Sequence, residues 1–148
     1  MAASDASRIP PAVAGRVRRW LRDPRALLAV YLVALMLIAL WPVHVDTDAG
    51  PLLALIHRIV PLLTYARIEF AANILMFVPL GVLLALILRS TRYLVIPLCF
   101  LGTVAIESTQ SLMPGRTASL HDVVANTAGA CVGLVVVALV ERRRTGAR

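Results

Sequence analysis

Four long apolar runs divide the chain, and each is close to the roughly 20 residues that a helix needs to cross a bilayer. They are residues 26–43, 69–88, 93–112 and 122–140. Short polar turns separate the last three runs, whereas residues 44–68 form a longer connection between the first two. The pattern predicts an all-α fold, an integral membrane four-helix bundle.

The long connection contains a shorter apolar stretch of its own. Residues 52–65 read LLALIHRIVPLLTY and are interrupted by His57, Arg58 and Pro61. Fourteen residues are too few to span a bilayer as a helix. We therefore predict an interfacial or re-entrant segment between helices 1 and 2.

Polar side chains interrupt the second and third runs in pairs. Glu69 lies four residues before Asn73, so the two share one face of the second helix. Glu107 and Gln110 are three residues apart and share a face of the third helix in the same way. Ionisable groups within membrane helices are costly, and by default they mark functional sites.

These polar groups are predicted to lie at a common depth. With a rise of 1.5 Å per residue, Asn73 and Asn126 lie about 6 Å, and Glu107 about 8 Å, from the same end of the bundle. Asp122 occupies the position expected for the N-cap of the fourth helix, and Arg116 lies in the loop before it. The predicted polar layer consists of Glu69, Asn73, Glu107, Gln110, Arg116, Asp122 and Asn126.

Proline and glycine mark two further features of the apolar runs. Pro79 removes a backbone donor and Gly81 removes a side chain, which predicts a kink in the second helix. Gly129 and Gly133 have the small-residue spacing that allows two membrane helices to approach closely.

Composition supports the membrane assignment, and charge predicts the orientation. The chain has 148 residues, 59% hydrophobic, with a mean hydropathy of +0.83 and a net charge of +7. All fifteen basic residues are arginines, and only Arg58, Arg67 and Arg116 fall on one side of the predicted membrane. Positive charge accumulates on the cytoplasmic side, so both termini are predicted to be cytoplasmic. The basic charge therefore indicates topology and contact with membrane lipids, with no nucleic acid as partner.

The same pattern gives the predicted domain organisation. Residues 1–25 and 143–148 are predicted to be basic cytoplasmic tails, and residues 26–142 a membrane domain. Cys99 and Cys131 lie in apolar runs and are interpreted as buried small hydrophobic residues. We predict no metal and no cofactor, because nothing completes a ligand set around the polar residues 44–48.

Three sequence blocks carry a resemblance to a known family. They read ExxxNILxFxPLG at residues 69–81, ExxQ at residues 107–110, and Arg116 followed by DxxxNxxG at residues 122–129. In this order, on four apolar runs, they make the chain resemble the VanZ-like family over about residues 26–142. The resemblance implies a multi-pass protein of the bacterial cell membrane. It also implies a role in the cell envelope, in antibiotic resistance of the glycopeptide (teicoplanin) type.

Three functions are compatible with the polar layer. The first is binding of an envelope lipid or lipid-linked precursor headgroup at the outer leaflet, with Arg116 facing phosphate. The second is a membrane enzyme acting on a lipid-linked substrate, with Glu107, His121 or Asp122 as acid or base. The third is a structural role in which the polar groups only bond helices together. No nucleophile motif is present, which favours a protein that is not an enzyme. Few polar residues, including Thr103, are assigned to the inner halves of the helices, which argues against transport.

Overall fold

The computed structural model describes residues 23–40, 58, 64–114 and 118–147. Within these ranges the chain forms four α-helices and no strand. The helices are α1 (Pro24–Ala39), α2 (Tyr65–Ile87), α3 (Val95–Gln110) and α4 (Leu120–Gly146), with a 3-10 turn (Arg92–Leu94) leading into α3. The predicted all-α membrane bundle of four helices is confirmed.

Three helical spans are long and apolar enough to cross a membrane. They are Tyr65–Ile87, Arg92–Gln110 and Leu120–Gly146, with 23, 19 and 27 residues. At 1.5 Å per residue, 23 residues extend about 35 Å, more than the roughly 30 Å of a hydrocarbon core. The remaining helix, α1, is apolar but shorter, with 16 residues in the described part of the chain.

The observed boundaries differ from the predicted ones at several helix ends. The second helix begins at Tyr65, four residues before the predicted start, and therefore includes the last residue of the predicted interfacial segment. Apart from Arg58, Thr64 and Tyr65, that segment lies outside the described residues. The fourth helix continues to Gly146, through most of the predicted tail at residues 143–148. The predicted tail at residues 1–25 is described only from Asp23.

Side-chain caps fix the starts of α1 and α4. Asp23 accepts a hydrogen bond from the backbone nitrogen of Arg25 at 3.0 Å, and Pro24 begins the helix. Ser119 accepts from the backbone nitrogen of Asp122 at 3.3 Å and is the N-cap of α4. The prediction that Asp122 is the N-cap is therefore wrong. Its carboxylate belongs to the first turn, where it complements the helix dipole.

The closest helix contact joins α2 and α4. A methyl group added at Gly133 would lie 2.7 Å from the backbone nitrogen of Val82, and one at Gly81 would lie 2.8 Å from the Cα of Ala130. Gly129 meets the backbone of Ile74 in the same interface. Because residue numbers rise together across these contacts, α2 and α4 run parallel. The backbones are too close for a side chain at any of the three glycines.

The first helix also packs against α2, near the proline. Pro79 lies inside α2 and has no N–H, so the carbonyl of Leu75 loses its helical partner. The hydroxyl of Tyr31 donates to the next carbonyl, that of Met76. The Tyr31 hydroxyl thus bonds α1 to α2 one residue after the carbonyl that Pro79 leaves without a helical partner.

Apolar residues from all four helices form the core. They are Leu35, Ala39, Phe77, Leu80, Ala85, Val95, Cys99, Ile106, Ala130 and Val137. Large apolar side chains are also exposed along the outer faces, including Leu75 and Leu101, as expected for helices surrounded by lipid. The interpretation of both cysteines as buried holds for Cys99 and is wrong for Cys131, which is exposed.

Candidate functional site

The candidate site lies where α2 and α4 begin and α3 ends, which we call the Asp122 end. The side-chain nitrogen of Asn73 donates to Oδ1 of Asp122 at 2.8 Å. The two residues are 49 positions apart in the chain. They meet because the first turn of α4 lies beside the third turn of α2, which begins eight residues earlier at Tyr65. This contact joins a carboxamide and a carboxylate, each from a different helix.

The carboxylate of Glu107 is buried at the same end. Only 5% of the residue is exposed, and its Oε2 accepts a hydrogen bond from the backbone nitrogen of Ser119 at 2.8 Å. Since Ser119 caps α4, the carboxylate lies at the N-terminus of that helix. Free amide groups and the helix dipole favour an anion there. The fold thus compensates part of the cost of burying Glu107.

A second buried polar contact lies one turn deeper. The side-chain nitrogen of Asn126 donates to Oγ1 of Thr103 at 2.7 Å, and the residues are 4% and 0% exposed. Among the described residues, Oδ1 of Asn126 has no hydrogen-bond partner. The contact places Thr103, near the middle of α3, against Asn126, and its assignment to the inner half of the helix stays a prediction. Sequence gave no direct signal for this, since threonine is common in apolar helices.

The remaining predicted site residues are Gln110, Glu69 and Arg116. Gln110 donates from its side-chain nitrogen to the carbonyl of Ala39 at 2.7 Å, and so bonds α3 to α1. Glu69 is half-buried on α2, one turn before Asn73. Arg116 lies outside the described residues. Of the predicted site residues, Asn73 and Asp122 therefore bond to each other, whereas Gln110 bonds to α1.

The opposite end of the bundle carries an ion pair that the sequence analysis missed. Both guanidinium NH groups of Arg92 donate to the carboxylate of Glu141, each at 2.7 Å, and its Nε donates to the carbonyl of Ala85 at 3.3 Å. We call this the Glu141 end. The available signal was that Glu141 is the one acidic residue beside a run of three arginines.

The site contains carboxylates, carboxamides and hydroxyls but no evident metal centre. Within the described ranges, no group of three His, Cys, Asp or Glu side chains is placed to hold a metal ion. The described side chains of the site can form hydrogen bonds and carry charge. Asp122 and Glu107 can accept hydrogen bonds, and the carboxamides can both donate and accept.

Comparison with known families shows that these residues lie within a recognised family domain. The family model VanZ/LLP1 matches residues 28–141, a range that includes most of α1 and α4 and the whole of α2 and α3. The chain belongs to the VanZ/LLP1 family. The searches of curated proteins and of solved structures gave no match. In this VanZ/LLP1 chain, every contact described at the Asp122 end falls inside the matched range.

Proposed function

We propose that this VanZ/LLP1 protein binds the polar headgroup of an envelope lipid or lipid-linked precursor at its Asp122 end. That end faces the outer leaflet of the cell membrane, and both termini are cytoplasmic. The arginines support this orientation, because Arg89, Arg92 and residues 142–144 collect at the Glu141 end. Through this binding the protein lowers sensitivity to glycopeptides of the teicoplanin type.

The observation that carries the proposal is how few hydrogen bonds the carboxylate of Asp122 forms with the described residues. Among the described residues, it accepts one hydrogen bond, from the neutral amide of Asn73, and forms no ion pair. A carboxylate has about four acceptor positions, so most of its capacity is available. Asp122 is half-buried rather than enclosed. It can therefore accept hydrogen bonds from hydroxyl or ammonium groups of a headgroup.

A headgroup also carries phosphate in most membrane lipids, and we assign that contact to Arg116. The planar guanidinium group offers paired donors that match phosphate oxygens. Arg116 stands six residues before Asp122 in the chain. Together the two residues would contact opposite charges of one zwitterionic headgroup.

A purely structural role is the main competing explanation, since the contacts at this end join helices. Interhelical hydrogen bonds in membranes contribute only about 0.6 kcal/mol on average. Burying a carboxylate costs several kcal/mol before compensation. Glu107 at 5% exposure is therefore an expensive way to hold α3 against α4. A ligand-binding role would explain why the protein keeps a buried carboxylate at this position.

Complementation in a deletion strain tests the proposal. Asp122→Asn and Arg116→Lys are expected to lose most of the effect of the wild type on teicoplanin sensitivity and on lipid-intermediate pools, at equal protein level. Glu141→Gln is the matched control, because it makes a comparable carboxylate-to-amide change at the opposite end. Wild-type behaviour of Asp122→Asn would contradict headgroup binding.

An assay with purified protein and a further variant, Glu107→Gln, separates binding from catalysis. Membrane extract incubated with purified wild-type protein is expected to yield no new lipid product. A product that disappears in Glu107→Gln would show that the protein is an enzyme and that binding alone is the wrong description.

A further inference from the structure

Two exposed arginines lie beside Glu141 without bonding to it. Arg92 already bonds both oxygens of that carboxylate, at N–O distances of 2.7 Å, and its Nε bonds the carbonyl of Ala85. Arg89 and Arg144 lie near enough for their charges to act on the same carboxylate. Both are exposed, and neither forms an ion pair with any residue that the structure describes. Arg92 thus neutralises Glu141, and the other two arginines add a local excess of positive charge.

The parallel packing of α2 and α4 explains why these side chains meet. Gly133 of α4 packs against the backbone of α2 at Val82. Arg89 follows Val82 by seven residues and Glu141 follows Gly133 by eight, so both lie about two turns beyond this contact. Arg144 follows Glu141 by three residues and shares its face of α4. The turn after α2 and the last turn of α4 therefore bring one arginine each to the same carboxylate.

These two arginines lie at the level of lipid headgroups. With 27 residues α4 is about 40 Å long, whereas the hydrocarbon core of a bilayer is about 30 Å thick. Tyr93, in the turn that leads into α3, is 74% exposed, and tyrosine is enriched at the interface between hydrocarbon and water. Leu139 and Val140 are exposed just before this level and suit the adjacent hydrocarbon. An anion that reaches Arg89 and Arg144 from the bilayer is therefore part of a lipid.

We propose that Arg89 and Arg144 together bind the phosphate of an anionic phospholipid in the leaflet at the Glu141 end. Each planar guanidinium group offers paired donors that match phosphate oxygens. Two cations beside a neutralised carboxylate repel each other, and an anion between them removes this repulsion. A zwitterionic lipid brings a cation of its own to the cluster, whereas an anionic lipid does not. The site is separate from the Asp122 end and goes beyond the proposed function.

The arrangement differs from the general attraction between arginines and an anionic membrane. That attraction acts on every arginine near the surface, whichever way its side chain faces. Arg143 carries the same charge as Arg144, but it is rotated about 200° from Glu141 around α4 and faces the other side of the helix. A shared site therefore predicts different effects for Arg143 and Arg144, whereas general attraction predicts equal ones.

Electron spin resonance of spin-labelled lipids tests the site, with the full-length protein in phosphatidylcholine bilayers. The measured quantity is the ratio of the association constants of phosphatidylglycerol and phosphatidylcholine. Arg89→Gln and Arg144→Gln are each expected to lower this ratio by about tenfold, the size of a lost charge-assisted hydrogen bond. Arg143→Gln is the matched control, and its loss is expected to stay below about fivefold, the size of general attraction per arginine. Equal losses in Arg143→Gln and Arg144→Gln would overturn the proposal.

A double-mutant cycle tests whether the two arginines share one phosphate. Arg89→Gln combined with Arg144→Gln is expected to lower the ratio by less than the product of the two single losses, because either change already breaks the site. Arg89→Gln combined with Arg143→Gln should give the product. If both pairs give the product, the arginines act independently and the shared site is wrong.

The same preparation separates a lipid from a soluble anion. Inorganic phosphate is expected to displace spin-labelled phosphatidylglycerol no more than chloride does at equal ionic strength. Greater displacement by phosphate would show a site for a free anion and would contradict the lipid assignment. The variants replace exposed side chains, so their thermal unfolding in detergent is expected to match that of the wild type.

Discussion

The fourth helix meets its two main neighbours by different means. Against α2 it runs parallel; a hydrogen bond from Asn73 to Asp122 joins the two helices at the Asp122 end, and below it Gly129 and Gly133 bring the two backbones into contact. Against α3 it runs antiparallel, and polar groups meet at three depths. These contacts are Glu107 with Ser119, Thr103 with Asn126, and Arg92 with Glu141.

The contact with α2 sets the distance between the helices, whereas the contacts with α3 set the register of α3 against α4. On the α2 side, the missing side chains set the helix separation, and any added volume must push the backbones apart. On the α3 side, each hydrogen bond specifies one pair of residues but contributes little energy. Changes on the α3 side can therefore alter the candidate site while the bundle stays folded.

The largest effect is expected at the glycine interface. Gly133→Val should destabilise the protein by about 3 kcal/mol or more, at the upper end of overpacking, because the new side chain meets the backbone at Val82. Gly102→Val is the matched control, since its Cβ meets nothing within 4 Å. Thermal unfolding in one detergent measures both. Similar losses at the two glycines would break the distinction between a backbone contact and a free face.

This interface also shows what could be predicted from the sequence. Four apolar runs indicated four helices, and the spacing of Gly129 and Gly133 indicated a close helix contact. The partner of that contact was not predictable, because the pattern is the same whichever helix approaches. Four consecutive crossings already imply that α2 and α4 run parallel, whereas their contact through Gly129 and Gly133 is seen only in the structure.

Side-chain direction explains the errors at the candidate site. Glu107 and Gln110 are three residues apart, which is about 300° of rotation and leaves a difference of about 60°. That angle is enough for Glu107 to face Ser119 on α4 while Gln110 reaches Ala39 on α1. Depth along a helix can be counted from sequence to within a turn. Direction around the helix depends on which neighbours pack against it.

A smaller effect is expected from the buried contact between α3 and α4. A double-mutant cycle of Thr103→Val and Asn126→Leu should give a coupling of about 0.6 kcal/mol and at most about 1.7 kcal/mol. Thr103→Val should be the more harmful single change, because it leaves the buried amide of Asn126 without its partner. In Asn126→Leu, the remaining hydroxyl can bond within its own helix.

The cycle sharpens the contrast with the glycine interface. Its control is the pair Ser108→Val and Thr127→Val, whose hydroxyls bond to carbonyls of their own helices. These two changes should be additive. A coupling between Thr103 and Asn126 as large as the loss in Gly133→Val would show that hydrogen bonds, rather than close backbone contact, dominate the stability of the bundle.

The smallest effect is expected for the ion pair at the Glu141 end. Arg92 and Glu141 form a bidentate pair, but their side chains are 28% and 40% exposed, so solvent and salt weaken the attraction. A cycle of Arg92→Gln and Glu141→Gln should give a coupling that shrinks as salt rises, since the Debye length falls from about 30 Å at 0.01 M to about 8 Å at 0.15 M.

Arg143→Gln removes the same charge from the same end and should show no coupling to Glu141→Gln. A coupling independent of salt would place this pair with the buried contacts of α3 and α4. The three polar contacts between α3 and α4 would then contribute to stability in the same way. The contacts at the Asp122 end would no longer differ from a purely structural ion pair.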